Sequence, residues 1–211
     1  MYKNRQEAGQ KLAAKLARNA AIVKAAKKKA LVIFGLAKGG IPVAAEVAKK
    51  LAVDLDILIV KKIGYPGNPE YAIGAVAEDG HPVWSDVAEH YGIPADYKDK
   101  EIEKAVLEIK KSEKIFRGGK KMAGVKGKVV LLVDDGIATG FTIKAAVSEA
   151  KEAKAKEVIV AVPVASPTAM EEFKKIAKVI SIEVPDNFAT IGQFYVDFLQ
   201  TTDEQVKELL K

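Results

Sequence analysis

Hydrophobic residues in this chain occur in short continuous runs, separated by longer stretches in which apolar positions recur with a helical period. Five such runs, rich in β-branched residues, cover residues 31–35, 55–60, 128–133, 157–162 and 178–183. Continuous apolar runs are typical of strands that are buried on both faces of a parallel sheet. Residues 42–51, 142–153 and 167–177 between them have the pattern of helices. The alternation predicts an α/β fold, an open, mainly parallel sheet flanked by helices.

Three segments fall outside this alternation. Residues 3–19 predict one N-terminal helix that docks its apolar face on the core. Residues 71–78 alternate apolar and polar positions after a loop rich in glycine and proline, which predicts a strand outside the parallel sheet. Residues 96–116 predict a long charged helix, followed by the basic loop RGGKKMAGVKGK. We expect this middle section, about residues 64–127, to form a flap.

Composition narrows the class of protein. The 211 residues are 49% hydrophobic and 29% charged, which is ordinary for a globular chain, and we expect one domain over residues 1–211. The absence of cysteine excludes disulfides, thiolate metal sites and cysteine nucleophiles. No apolar run approaches the roughly 20 residues of a membrane span, so we expect a cytoplasmic protein without membrane contact. The net charge of +6 comes from lysines interspersed with glutamates, which argues against nucleic acid as the partner and suits small phosphorylated ligands.

The segment LLVDDGIATGFT, residues 131–142, carries the strongest chemical signal. A buried strand ends in Asp134 and Asp135, a loop of small residues follows, and a helix then begins. Ligands bind beyond the carboxyl ends of parallel strands, and a helix N-terminus offers free amides to a phosphate. We expect phosphate contacts from the loop and the helix start, namely Ile137, Ala138, Thr139, Gly140, Phe141 and Thr142. The two carboxylates would repel a phosphate, so they suit ribose hydroxyls or a cation, unless they merely cap the helix.

Two further features fall at the same predicted sheet edge. GLAKGGIP, residues 35–42, repeats the order of strand, glycine-rich turn and helix start, which predicts a second anion site at Lys38, Gly39 and Gly40. The simpler interpretation is a turn that only joins strand and helix. Lys61 and Lys62 follow the second predicted strand, where they can neutralise a polyphosphate or remain ordinary solvated lysines.

These residues resemble a known family. The arrangement D-D-x-x-A-T-G-x-T is similar to the phosphoribosyl pyrophosphate motif of type I phosphoribosyltransferases, and GLAKGG resembles their pyrophosphate loop. In that loop a cis non-proline peptide is frequent, which here implies the Ala37–Lys38 bond. The segments GYPGNPEYAIGAVAEDG and VPVASP, with the basic loop, extend the resemblance over almost the whole chain, to a bacterial and archaeal branch of predicted phosphoribosyltransferases.

The resemblance implies transfer of a 5-phosphoribosyl group from phosphoribosyl pyrophosphate to a nitrogenous base, such as a purine, with release of pyrophosphate. It implies Asp134, Asp135 and Lys62 as catalytic residues, and Lys38, Gly39, Gly40 and Lys61 as pyrophosphate contacts. Residues 182–211 would form a C-terminal hood in which Phe188 stacks on the base. Asp197 would join Asp134 and Asp135 in holding Mg²⁺, the implied cofactor. A homodimer is also implied.

Two departures leave the acceptor base unspecified. Ala138 stands where hypoxanthine-guanine enzymes carry an aspartate, and their purine-reading lysine has no counterpart near Ser166. An alternative function is that of a non-catalytic regulator that binds phosphoribosyl pyrophosphate or a nucleotide. The basic RGGKK segment is the surface such a regulator would offer to nucleic acid.

Overall fold

The computed structural model describes residues 1–90 and 92–211, and of residue 70 it describes the backbone only. Its helices and strands follow one another in the order α1 (Arg5–Leu16), α2 (Ala20–Lys27), β1 (Leu31–Leu36), α3 (Gly40–Leu51), β2 (Leu55–Leu58), β3 (Lys61–Tyr65), β4 (Asn68–Val76), β5 (Pro82–Trp84), α4 (Asp86–His90), α5 (Ala95–Arg117), β6 (Val129–Val133), α6 (Phe141–Glu152), β7 (Glu157–Val164), α7 (Pro167–Phe173), β8 (Lys178–Glu183) and α8 (Asp203–Leu209).

The central sheet has five parallel strands in the order β2-β1-β6-β7-β8. This confirms the predicted parallel α/β architecture, although β2 ends two residues before the predicted limit. Successive side chains of a strand point to opposite faces. Leu31 and Ile33 accordingly pack against helices α1 to α3, while Val32 and Phe34 pack against α6 and α7. Both faces are covered, which is why the strands appear in the sequence as continuous apolar runs.

The N-terminal helix predicted over residues 3–19 is present as α1, and a second helix that was not predicted, α2, follows it. Asn19 caps the second helix: its side-chain oxygen accepts hydrogen bonds from the amides of Ala21 and Ile22, at 3.1 and 3.2 Å. Asparagine is a favoured N-cap, so Asn19 marks the start of α2 in the sequence. None of the helices in the described ranges combines the length and apolar composition needed to cross a bilayer.

The middle section forms a separate three-stranded antiparallel sheet, β3-β4-β5, with α4 and α5 beside it. The predicted strand at residues 71–78 and the long helix at 96–116 are both present, but strands β3 and β5 were not predicted. Its apolar core includes Ile63, Ile73 and Ile109 and extends to Val206 of the C-terminal helix α8. The flap therefore begins at Lys61, and α8 packs against it.

A buried charge network joins this flap to the central sheet. At the end of α5, Arg117 donates from Nη1 to Glu78 Oε2 at 2.6 Å and from Nε to Asp56 Oδ1 of β2 at 3.0 Å. The amide of Glu78 donates to Glu149 Oε2 of α6 at 3.1 Å. Glu149 is only 5% exposed. Burial raises the pKa of Glu149 to about 8, and the negative charges of Glu78 and Asp79 add to the shift.

The network predicts how stability depends on pH. Because the pKa of Glu149 rises from 4.5 to about 8 on folding, the folded protein binds more protons than the unfolded chain between these values. The free energy of unfolding therefore falls as pH rises through that window. Glu149→Gln removes this charge, so the variant should lose less stability between pH 5 and pH 8 and exceed the wild type at pH 8 by about 1–3 kcal/mol.

Urea unfolding at several pH values measures this effect. Glu152→Gln is the matched control, since Glu152 lies three residues further along α6 but is exposed. If Glu149→Gln and Glu152→Gln showed the same pH dependence as the wild type, the buried carboxylate would not be titrating as described.

Candidate functional site

The site lies where the chain reverses its direction of travel across the central sheet. From β1 the chain passes through α3 to β2 on one side, whereas from β6 it passes through α6 to β7 on the other. Such a switch point leaves a crevice outside the carboxyl ends of the two strands, where ligands of open α/β sheets bind. Both glycine-rich segments singled out from the sequence leave the sheet at this crevice.

The two loops are in direct contact, and glycine makes this possible. A Cβ atom on Gly40 would lie 2.5 Å from the carbonyl oxygen of Val133, and one on Gly39 would lie 2.4 Å from Oδ2 of Asp135. The peptide bond between Ala37 and Lys38 is cis, as the resemblance implied. Gly39 and Gly40, which follow this bond, lie beside the carboxylate pair.

The loop between β6 and α6 is hydrogen-bonded to the end of β7 and to the segment that links β7 to α7. Ile137 donates its amide to the carbonyl of Val164 at 2.9 Å, and Ser166 donates its amide to the carbonyl of Ile137 at 2.9 Å. The Ser166 hydroxyl donates to the carbonyl of Ala138 at 3.1 Å. Ile137 is buried, so it anchors the loop rather than facing the crevice.

The upper part of this loop has free hydrogen-bond donors. Within the described chain, no backbone or side-chain acceptor takes a hydrogen bond from the amides of residues 138–143, which include the first turn of α6. Gly140 adopts a left-handed conformation, φ 72°, immediately before the helix. Thr139 is exposed and Thr142 is half-buried. Free amides at a helix N-terminus, beside two threonine hydroxyls, form an anion-binding cradle.

Asp134 and Asp135 stand at the base of the crevice in different surroundings. Asp135 Oδ2 accepts a hydrogen bond from Nε of Arg5 at 2.8 Å, and its carbonyl accepts one from the Tyr195 hydroxyl at 2.7 Å. Asp134 Oδ1 accepts the amide of Asp135 at 2.9 Å. Burial, then the charge of Asp135, raises the pKa of Asp134 well above its ordinary value. Burial also raises the pKa of Asp135, against the opposing charge of Arg5. The pair favours an added cation.

The three lysines predicted for the site have different partners. Because consecutive strand residues face opposite ways, Lys61 and Lys62 of β3 diverge. The charge of Lys62 lowers the pKa of both aspartates, although less than burial raises it. Lys61 instead pairs with Glu108 of α5 at 3.2 Å, and Lys38 pairs with Asp203 of α8 at 2.8 Å. Lys62 is thus the lysine whose charge reaches the carboxylate pair.

The two hood residues predicted for the site, Phe188 and Asp197, have partners within the hood. The ring of Phe188 packs against that of Phe194, with centroids 5.4 Å apart. Asp197 is exposed, and its Oδ1 accepts the amide of Leu199 at 3.1 Å. The ligand atoms of Asp134, Asp135 and Asp197 do not all lie within 4.8 Å of one another. In the described part of the chain, Asp79, His81 and Glu152, at the far end of α6, are the three metal-ligating side chains that do lie this close together.

Sequence reasoning missed Arg5 and Tyr195, both of which contact Asp135. Arg5 lies 130 residues from Asp135 along the chain, and in the sequence it resembles any other charge on an amphipathic helix. Tyr195 has the pattern of an ordinary core aromatic. No local pattern ties either residue to the loop, because both contacts arise from the docking of α1 and the hood.

Comparison with known proteins places the chain in a family. Residues 3–199 match the phosphoribosyl transferase domain family. Proteins from two strains of Mycobacterium tuberculosis, whose curated names class them provisionally as phosphoribosyl transferases, are 38% identical over 212 residues; the alignment covers 100% of this chain and 46% of each relative. The chain belongs to this family. It spans about half the length of these curated relatives.

A solved structure shares the fold along almost the whole chain. The crystal structure of TT1426 from Thermus thermophilus is 39% identical and superposes with a TM-score of 0.78, over 99% of this chain and 97% of the other. This superposition covers more of the chain than the family match over residues 3–199.

The contact between the loops predicts the effect of adding one methyl group. Gly40→Ala brings a Cβ atom to 2.5 Å from a backbone carbonyl that cannot move without disturbing β6. We expect a loss of stability of about 1–3 kcal/mol in urea unfolding. Gly124→Ala is the control, because a Cβ there meets no atom within 4 Å. Equal stability of the two variants would contradict the close approach of the loops.

Proposed function

We propose that this chain is a phosphoribosyltransferase that uses phosphoribosyl pyrophosphate and Mg²⁺ to transfer a 5-phosphoribosyl group to a nitrogenous base, such as a purine, with release of pyrophosphate. One observation carries the proposal: two glycine-rich loops meet in the crevice between β1 and β6, with the carboxylate pair at their contact. A ligand that has an anion at each end and hydroxyls between them fits this order of groups. The proposal treats residues 1–211 as one domain.

The loop before α6 suits the 5-phosphate. Its free amides from Ala138 onward, with the hydroxyls of Thr139 and Thr142, supply several donors to one anion. Gly140 allows the chain to turn into α6 without a side chain in the way. Asp134 and Asp135 then meet the ribose hydroxyls, which donate hydrogen bonds to carboxylates.

The loop after β1 suits the pyrophosphate, which would contact Lys38, Gly39 and Gly40. Lys61 and Lys62 add positive charge from the flap. Lys38 and Lys61 are held by carboxylates of the same chain, but these ion pairs are partly exposed to solvent. Exposed ion pairs contribute little to stability, so a polyphosphate can displace Asp203 and Glu108.

The donor set at the carboxylate pair fits Mg²⁺. Magnesium binds hard oxygen ligands through one or two carboxylates together with substrate phosphates. Asp134 makes no ion pair with a cationic side chain within the described residues, and burial beside Asp135 disfavours its charge. Asp134 would hold the ion, with Asp135 beside it, whereas Asp197 lies too far from the pair to share it. Bound Mg²⁺ would neutralise charge on the departing pyrophosphate.

The proposed reaction requires no covalent bond between the protein and the substrate. An oxocarbenium-like transition state at ribose C1 is reached by holding donor and acceptor in line and by compensating the charge of the leaving group. Lys62 brings one such charge, and the flap that carries it would keep water from the reacting carbon. Phe188 would stack on the base. The proposal also includes a homodimer and a cytoplasmic location. Sedimentation equilibrium would measure the oligomeric state.

Isothermal calorimetry with phosphoribosyl pyrophosphate and Mg²⁺ tests the donor site. The wild type should bind, and Asp134→Asn should weaken binding by about 10- to 100-fold, because it removes the charge that meets ribose and metal. Asp99→Asn, an exposed position on α5, is the matched control and should bind like the wild type.

A pyrophosphate-release assay with a panel of bases then tests transfer. Turnover with at least one base is expected, and Asp134→Asn should abolish most of it. Binding without turnover on any base would favour the regulator, whereas the absence of Mg²⁺-dependent binding by the wild type would refute the proposal.

A further inference from the structure

Arg5 connects three parts of the protein at the edge of the crevice. Its Nε donates to Asp135 Oδ2 at 2.8 Å, and its Nη1 donates to the carbonyl of Leu199 at 2.7 Å. Its guanidinium carbon lies 3.9 Å from the centroid of the Phe198 ring. The side chain is 12% exposed. Helix α1, the carboxylate pair and the hood therefore meet at one guanidinium, and its planar geometry fixes the direction of each contact.

The ion pair between Arg5 and Asp135 also contacts the loop before α3. A Cβ atom on Gly39 would lie 2.4 Å from Asp135 Oδ2 and 3.5 Å from Arg5 Nε. Oδ2 of Asp135, the atom that Arg5 holds, is therefore the one that packs over the Cα of Gly39. The Tyr195 hydroxyl fixes the backbone of Asp135 from the side of the hood. Arg5, Asp135 and Gly39 therefore lie together where the loop before α6 meets the loop before α3.

The two carboxylates of the pair are consequently not equivalent. Asp135 is committed to Arg5 and lies against Gly39, and its side chain is 10% exposed. Asp134 has no ion-pair partner among the described residues; its Oδ1 accepts the amide of Asp135 and faces the Cα of Gly40. A ligand that enters the crevice therefore finds only Asp134 without a cationic partner.

We infer that Arg5 is a positioning residue of the donor site: its ion pair with Asp135 sets the spacing of the two anion-binding loops, and it leaves Asp134 as the carboxylate that meets ribose and cation. This inference rests on the proposed function, in which one substrate spans both loops. It makes a specific distinction. A ligand that bridges the loops depends on Arg5, whereas a ligand that occupies only the loop before α6 does not.

Calorimetry with two ligands tests this distinction in Arg5→Gln. Binding of phosphoribosyl pyrophosphate, which bridges the loops, should weaken by about 10- to 100-fold, as when the partner of a ligating carboxylate is lost. Binding of ribose 5-phosphate should change by less than about threefold. Arg5→Lys retains the charge beside Asp135 but loses the second donor and the planar stack, so its affinity for the bridging ligand should be intermediate. Arg18→Gln, at an exposed arginine after α1, is the control.

Hydrogen exchange of the free protein supplies a second readout that needs no substrate. Arg5→Gln should accelerate exchange of the hydrogen-bonded amides of Ala37 and Ile41 in the segment after β1 and of Asp135 and Ile137 in the segment after β6, while Arg18→Gln should leave both segments unchanged. If the wild type bound neither ligand, the proposed function would fail, and exchange in these two segments would still decide whether Arg5 positions the loops.

Two results would overturn the inference. An equal loss of affinity for both ligands in Arg5→Gln would reduce Arg5 to a general support of the fold. Exchange in both loops that matched the Arg18→Gln control would show that the ion pair does not fix their spacing. Arg5→Lys keeps the test decisive if Arg5→Gln does not fold.

Discussion

Two adjacent carboxylates at the end of β6 impose the main constraint on this structure. Asp134 and Asp135 are drawn out of water where the sheet ends, and burial disfavours the charge of both. Buried charges must be paired or hydrogen-bonded. Arg5 from the first helix and Lys62 from the flap supply positive charge, and the backbone amide of Asp135 supplies a hydrogen bond. The N-terminal helix, the flap and the hood are all placed with respect to this pair.

The same constraint accounts for the glycines. A carboxylate that reaches across to the neighbouring loop leaves no room for a side chain on Gly39, and the carbonyl that ends β6 leaves none on Gly40. Close contact between the loops confines donors and acceptors to a narrow crevice, where electrostatic interactions are stronger than at an open surface. The free amides of the loop before α6 begin four residues after Asp134, so donors for an anion follow the carboxylates directly in the chain.

The sequence was informative where chemistry is local. The five strands of the central sheet could be predicted because both faces of that sheet are buried. The segment from Val133 to Thr142 carries strand end, carboxylates, loop and helix start in one stretch. The same locality explains the failures. Helix α2 was not predicted, although the side chain of Asn19 marks its start by a capping bond. Lys61 and Lys62 were predicted together, but the pleat of β3 sends them to different partners.

Contacts between distant segments could not be predicted from the sequence at all. The pairing of Arg5 with Asp135 spans 130 positions, and that of Lys38 with Asp203 depends on where α8 packs. Family membership supports the type of ligand but leaves the acceptor open, since Ala138 and Ser166 carry no charge that would select a base. The donor end of the site is therefore better defined than the acceptor end.

A crystal structure of the protein with phosphoribosyl pyrophosphate and Mg²⁺ tests the central claim most directly. The account predicts the 5-phosphate on the amides between Ala138 and Thr142, the ribose beside Asp134, and the pyrophosphate over Gly39 and Gly40. A crevice that stayed empty at saturating ligand, or a ligand bound elsewhere on the surface, would contradict it.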